Sequence, residues 1–475
     1  MDTVITKGTG FEEQTKALFE SQYPVSQQLR KSTVKQRIAK LKKLEKVILD
    51  SQNVIKEALF QDFQKPAEET QVSETWVVLA EIRHTCKNLK KWLKPQKVDT
   101  PLTLIGSWSS VLLEPKGRTL IIAPWNYPFN LSLGPLVSAV AAGNTALIKP
   151  SEFTPATNKV VTDILSKVFD KSEVAVVEGE IAETQYLLSL PFDHIFFTGS
   201  PAVGKIVMAS AAKNLSGVTL ELGGKSPTII NKDANLQDTA EKITFGKFLN
   251  AGQTCVAPDY LLVHKDIKDE LVTKLISCIN NKFNGKSEDS PYCNIINEKN
   301  GTRIKGLYED AINNGAKVIT GGKFENDNCT ISPTLIEKVT FDMKIMEEEI
   351  FGPLLPIVEF EELAETVKII NSKPKPLALY YFGSKSKDQK YIIENCQSGT
   401  TAINDCTIQF ANTELPFGGI GNSGVGNGHG YWGVRAFSHE RPIMKQNTVF
   451  PSSSLLQPPY NSLKRMVSDL LVKYF

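Results

Sequence analysis

The sequence is short of several things, and each shortage excludes a class of protein. Only five of the 475 residues are histidine (84, 194, 264, 429 and 439), and no spacing among them suits a metal site. The seven cysteines, at 86, 255, 278, 293, 329, 396 and 406, are odd in number and form no CxxC pair. That fits free thiols in a reducing compartment, not a disulfide scaffold or a zinc site. No apolar run approaches the ~18 residues of a membrane-spanning helix. The first 30 residues lack the apolar core of a signal peptide and the acid-poor, Arg-rich character of a transit peptide, so a cytoplasmic location is expected. Excess charge is missing too. Lys plus Arg is 54 against 52 for Asp plus Glu, a net charge of +2, which argues against a chain built to hold nucleic acid.

What is present is ordinary globular material. Apolar residues are 41% and charged residues 22%, and at about 150 residues per domain the length suggests two or three domains. Residues 26–63 read as one or two helices. Val34, Ile38, Leu41, Leu44 and Ile48 form an apolar stripe, and Lys31, Lys35, Arg37, Lys40, Lys42, Lys43 and Lys46 form a solvated face. Residues 101–117 look like a two-stranded excursion. Beyond them apolar runs alternate with helix-like segments: 119–123, 145–148, 174–177, 194–197 and 218–222, then 228–230, 260–264, 354–360, 377–382 and 400–404. Buried parallel strands joined by helices produce this rhythm, so two successive α/β units are expected.

Two segments match GxGxxG, at Gly419, Gly421 and Gly424 and again at Gly428, Gly430 and Gly433. Neither follows an apolar strand or opens an amphipathic helix, so a loop lining a site or an interface fits better than a dinucleotide fingerprint. The segment 194–204 has fewer glycines but the better context. An apolar strand runs into Gly199 and Ser200, then into a helix containing Gly204. A helix N-terminus there could hold a pyrophosphate.

Three further residues stand at element ends. Cys255 closes Asn250-Ala-Gly-Gln-Thr-Cys255, Glu221 ends a strand before two glycines, and Asn126 lies between Pro124 and Pro128. Taken alone, a single cysteine is more often a small buried side chain than a nucleophile.

Together the segments are recognisable. PWNYP, KPSE, FTGSPAVG, ELGGKSP, GQTC and EEIFGP occur in the order found in the aldehyde dehydrogenase superfamily. The length and the ending from Leu415 to Pro442 resemble its class 3 branch, which includes enzymes of medium-chain, aromatic and fatty aldehydes. The resemblance implies a Rossmann-type NAD-binding domain (1–100 and 118–222), an α/β catalytic domain (223–403) and bridging or oligomerisation segments (101–117 and 404–450). A tail helix (451–475) follows. It implies that Cys255 is the nucleophile, that Asn126 with the Cys255 N–H forms the oxyanion hole, and that Glu221 is the general base, 34 residues before the cysteine. For the coenzyme it implies Lys149 and Glu152 at the adenosine ribose and Ser200 at the pyrophosphate, with Gly199 and Gly204 shaping that turn. Glu349 and Phe351 would lie at the nicotinamide ribose and Trp125 beside the phosphates.

NAD is the expected coenzyme, because a carboxylate at Glu152 disfavours a 2′-phosphate, and NADP is a second coenzyme that the branch often accepts. A homodimer is also implied. Two alternatives remain open on sequence: a CoA-acylating reductase on the same fold, and a catalytically silent cofactor-binding protein. In the tail, Leu463, Met466, Val467, Leu470, Leu471 and Tyr474 share one face. That suits a helix docked on its own protein or a partner subunit, with peripheral membrane contact as the alternative.

Overall fold

A computed structural model describes residues 4–283, 292–449 and 452–474. The N-terminal layer contains three helices, Phe11–Leu29, Val34–Asp50 and Gln52–Phe63. Thr33 starts the second with a capping box, its hydroxyl accepting from the Gln36 N–H while the Gln36 side chain reaches back. Leu41, Leu44 and Ile48 are fully buried, as the stripe predicts. Arg37 departs from the expected solvated face. Its guanidinium is buried and donates to the carbonyls of Ala141 and Ala142 at 3.1 and 2.5 Å, at the C-terminal end of the helix Pro128–Ala142. A cation is favoured at that end of a helix dipole, and burial pushes the Arg37 pKa down to about 10.

Two seven-stranded sheets carry the rest. In the first, the order is Val4–Ile5, Val174–Val177, Thr145–Lys149, Arg118–Ile122, His194–Gly199, Gly217–Leu222, Gly424–Val425. After the N-terminal edge strand Val4–Ile5, the chain enters at the central strand Arg118–Ile122, moves outward through two strands, then crosses back to build the other half. This reversal opens a crevice beyond the C-terminal ends of neighbouring strands, where ligands bind in open α/β sheets. All these pairs are parallel except the last, which places Gly424 opposite Glu221. The two edge strands were illegible in the sequence. Each is two residues long, and the second lies in a glycine-rich stretch.

The second sheet runs Lys317–Thr320, Thr334–Glu337, Leu354–Phe360, Tyr260–His264, Pro227–Ile230, Ala378–Phe382, Thr400–Ile403. It is parallel apart from the first pair. The expected two-stranded excursion at 101–117 is instead a short 3-10 turn, Leu102–Leu104, and one long strand, Ser107–Pro115. Gly106, at φ +86, separates them, and the strand pairs outside the segment, between Gln96–Val98 and Ser438–Gln446. The tail helix Ser462–Tyr474 has no fully buried residue; it lies against the preceding turn Ser452–Leu456, and Lys464 Nζ donates to the Gln457 carbonyl at 2.6 Å. Among the described residues no helix is long and apolar enough to cross a membrane.

Candidate active site

Cys255 is presented by an unusual turn. The helix Leu236–Phe248 gives way to the turn Leu249–Gly252, in which Asn250, Ala251 and Gly252 all take positive φ (55°, 51° and 75°). Such a conformation costs on the order of 1–3 kcal/mol per non-glycine residue unless its surroundings impose it. Here they do. The Asn250 side-chain amide donates to the carbonyls of Asn126 (2.9 Å) and Gln253 (3.1 Å). The Gln253 amide donates to the carbonyls of Asn250 and Asn294, both at 3.0 Å. At Gly252 a Cβ would lie 2.3 Å from the Gly352 carbonyl oxygen. The loop is thereby fixed before it reaches the sulfur.

Asn126 belongs to the same lattice. It follows the central strand of the first sheet and is buried. Its Nδ2 donates to the Gln253 carbonyl at 3.0 Å, two residues before Cys255. An amide nitrogen has two N–H groups, so one remains to donate elsewhere. Behind it lies a fully buried ion pair, Lys65 Nζ to Glu74 Oε1 at 2.7 Å. Lys65 also donates to the Asn126 carbonyl at 3.3 Å, and Glu74 Oε2 accepts from the Asn130 N–H at 2.8 Å. Glu74 sits in a π-helical turn, Gln71–Thr75. Such widened turns occur frequently at functional sites.

Cys255 and Glu221 open onto one cavity of about 460 Å³, walled mainly by Trp76, Leu131, Phe196, Phe245, Phe410 and Phe417. Neither oxygen of the buried Glu221 carboxyl has a hydrogen-bond partner. Burial holds its pKa well above the ordinary carboxylate range. The Cys255 thiol is pushed up to about 12 by burial first, then by the charges of Glu349 and Glu221. A base with a raised pKa facing a thiol and an apolar cavity is suited to proton transfer at that cavity.

Most of the remaining expected residues gather at the C-terminal ends of adjacent strands in the first sheet, while Glu349 and Phe351 come from the loop before Leu354–Phe360 of the second. Lys149 Nζ pairs with Glu152 Oε2 at 2.9 Å. Ser200 caps the helix Pro201–Asn214, its hydroxyl accepting from the Val203 N–H at 3.4 Å. Gly204 packs that helix against Leu222, where a Cβ would lie 2.6 Å from a methyl. At Gly199 a Cβ would lie 2.5 Å from the Phe197 ring. The Trp125 and Phe351 rings meet edge-on at 5.3 Å. The Glu349 carboxylate lies where a Cβ on Gly223 would be, and burial pushes its pKa up to about 8. A helix N-terminus for phosphate, a carboxylate for ribose hydroxyls and an aromatic pair together fit a dinucleotide.

The aldehyde dehydrogenase family profile matches residues 3–443. The chain belongs to the aldehyde dehydrogenase family. A 4,4′-diaponeurosporen-aldehyde dehydrogenase of Staphylococcus aureus is 45% identical over 425 residues, which is 89% of this chain and 92% of that one. Aldehyde dehydrogenase family 3 member B1 of Bos taurus is 42% identical over 409 residues, 86% of each chain. A solved structure of the substrate-bound state of Staphylococcus aureus AldH superposes with a TM-score of 0.92 at 41% identity, covering 96% of this chain and 99% of that one. This aldehyde dehydrogenase is an oxidoreductase of aldehydes with the α/β fold and the class 3 character that the motifs implied.

Sequence reasoning missed Lys65 and Glu74, because a Lys-Pro step in an acidic segment reads as surface. It also missed Glu81, which shares the cavity wall with His429. The second glycine cluster does line the site: a Cβ at Gly428 would lie 3.6 Å from the Phe196 ring and 3.9 Å from Glu221 Oε1.

Proposed function

We propose that Cys255, Asn126 and Glu221 carry out NAD(P)-dependent oxidation of an aldehyde to a carboxylic acid. The observation that carries this reading is the unpartnered Glu221 carboxyl facing the same apolar cavity as Cys255. The Cys255 thiol passes its proton to water, the sulfur adds to the carbonyl carbon, and the carbonyl oxygen takes the negative charge. The free N–H of Asn126 and the Cys255 backbone N–H stabilise that oxygen; losing one such donor costs about 100- to 1000-fold in rate. When bound, the nicotinamide coenzyme would supply the acceptor for the hydride that the tetrahedral carbon held on Cys255 gives up. The resulting thioester is hydrolysed when Glu221 takes a proton from water, which attacks the acyl carbon and releases the Cys255 thiolate.

The coenzyme would be held by Lys149 and Glu152 at its adenosine ribose and by Gly199, Ser200 and Gly204 at its pyrophosphate. Glu349, Phe351 and Trp125 would hold it toward the nicotinamide. The Lys149–Glu152 pair sets a cation beside the carboxylate, so we favour NAD with NADP as a second coenzyme. The apolar cavity walls favour a medium- or long-chain aliphatic or an aromatic aldehyde. The domain division inferred from the family, 1–100 with 118–222, then 223–403, with 101–117 and 404–450 as bridges and a tail at 451–475, is kept as part of this reading. So are a cytoplasmic location and a tail helix whose exposed apolar face contacts a partner subunit or a membrane surface.

The test is coenzyme reduction with an alkanal and with benzaldehyde. Cys255→Ser should abolish it. Glu221→Gln should form reduced coenzyme once per site and leave an acyl adduct on the intact mass. Unimpaired turnover by Glu221→Gln would refute the base assignment, and acyl-CoA formed on adding CoA would favour the acylating reductase instead.

A further inference from the structure

The cavity has a polar region that the proposed reaction does not use. Glu81, Ser138 and His429 line it together with Cys255. Ser138 lies on the helix Pro128–Ala142, seven residues beyond Leu131, so about 10 Å of helix rise separates these two wall residues. Glu81 comes from the neighbouring helix Trp76–Trp92 and is 4% exposed. Its Oε1 accepts from the Gly430 N–H at 2.7 Å, whereas its Oε2 is buried without a hydrogen-bond partner. The nearest ring nitrogen, Nδ1 of His429, is 4.0 Å from Oε2, too far for a hydrogen bond. His429 is held in place by its own backbone, at φ +69, by an edge-on contact with the Phe410 ring at 4.5 Å and by the tilted Phe417 ring at 5.4 Å. Burial pushes Glu81 up to about 7 and His429 down to about 4, so at mildly alkaline pH an ionised carboxylate stands beside a neutral imidazole.

A buried carboxylate oxygen with no donor is costly, on the order of 1–3 kcal/mol. No wall residue, Ser138 and His429 included, donates to Oε2, so the donor must come from whatever enters the cavity. We propose that Glu81 and His429 form a specificity-determining subsite that accepts a hydroxyl from the far end of an aldehyde substrate. This rests on Cys255 being the reaction centre. The hydroxyl donates to Glu81 Oε2 and His429 is its second neighbour, so the aldehyde carbon reaches the sulfur only at a matching chain length.

The test compares kcat/KM for a length series of alkanals with that for their ω-hydroxy counterparts at mildly alkaline pH. The hydroxy-to-plain ratio should pass through a maximum at one length, at least ~10-fold above its value at the shortest. Glu81→Gln keeps an acceptor for Gly430 but turns a donor toward the cavity, and should lower that maximum ~10-fold or more. A merely structural role for Glu81 would not move the ratio. Should the variant not fold, competitive inhibition of the wild-type enzyme by α,ω-diols against the matching 1-alkanols gives the same comparison, with diols the tighter. A ratio flat across lengths and unchanged by Glu81→Gln, or diols binding no better than alkanols, would overturn the subsite. Failure to oxidise plain alkanals at all would count instead against the reaction itself.

Discussion

At the residue scale Cys255, the proposed nucleophile, is poorly prepared on its own. Burial, then Glu349 and Glu221, push the Cys255 thiol up to about 12. A raised thiol pKa favours the neutral form, so the thiolate fraction grows about tenfold for each unit that the pH rises toward that value. Alkylation of Cys255 by iodoacetamide in the coenzyme-free protein, followed by intact mass, should be slower than that of free cysteine near neutral pH and should keep rising through pH 10. A plateau near pH 8 would contradict the burial argument. The sequence could name this residue only through its neighbours, since GQTC by itself is a small buried thiol with a motif around it. His194 opens an apolar run in the sequence, and accordingly it is buried, with Nε2 3.1 Å from the Thr219 hydroxyl and Nδ1 3.0 Å from Lys116 Nζ. Glu81 was not legible, because its partner, the Gly430 N–H, lies 349 residues away along the chain.

At the scale of elements, the π-helical turn Gln71–Thr75 determines how Asn126 is supported. It carries Glu74 against Lys65, and Lys65 in turn touches the Asn126 carbonyl. Removing one member of a buried pair leaves the other uncompensated, at a cost of about 3–5 kcal/mol, whereas removing both with apolar residues of similar volume is often near neutral. Lys65→Met should therefore destabilise the protein strongly in urea unfolding, and Lys65→Met combined with Glu74→Leu should recover most of that loss. Equal loss in the single and double variants would mean that the pair contributes nothing of its own. Parallel strands buried on both faces read as apolar runs, which is why most of the two sheets could be traced from sequence. The π turn and the strand Gly424–Val425 could not, because each is defined by the backbone it packs against and not by a side-chain period.

At the scale of the molecule, the three-stranded sheet of Gln96–Val98, Ser107–Pro115 and Ser438–Gln446 is mostly exposed. Trp108 (61%), Met444 (56%) and Ile443 (39%) stand in solvent on it. Long exposed edge strands with apolar side chains invite pairing with another chain. The expected homodimer, twice the 52.5 kDa chain, should be seen by sedimentation equilibrium, and Trp108→Glu with Met444→Glu should shift it to monomer. A wild-type monomer at micromolar concentration would remove the dimer from the account.

The first sheet is bounded by Val4–Ile5 on one side and by Gly424–Val425 on the other, so its two margins come from opposite ends of the polypeptide. During synthesis the strand bearing Glu221 therefore has to wait, its outer hydrogen-bonding groups uncovered, until some two hundred later residues have emerged (424 − 221 = 203). A chain cut off before that return would keep Cys255, Asn126 and Glu221, yet it would leave the rim beside Glu221 open to any passing strand.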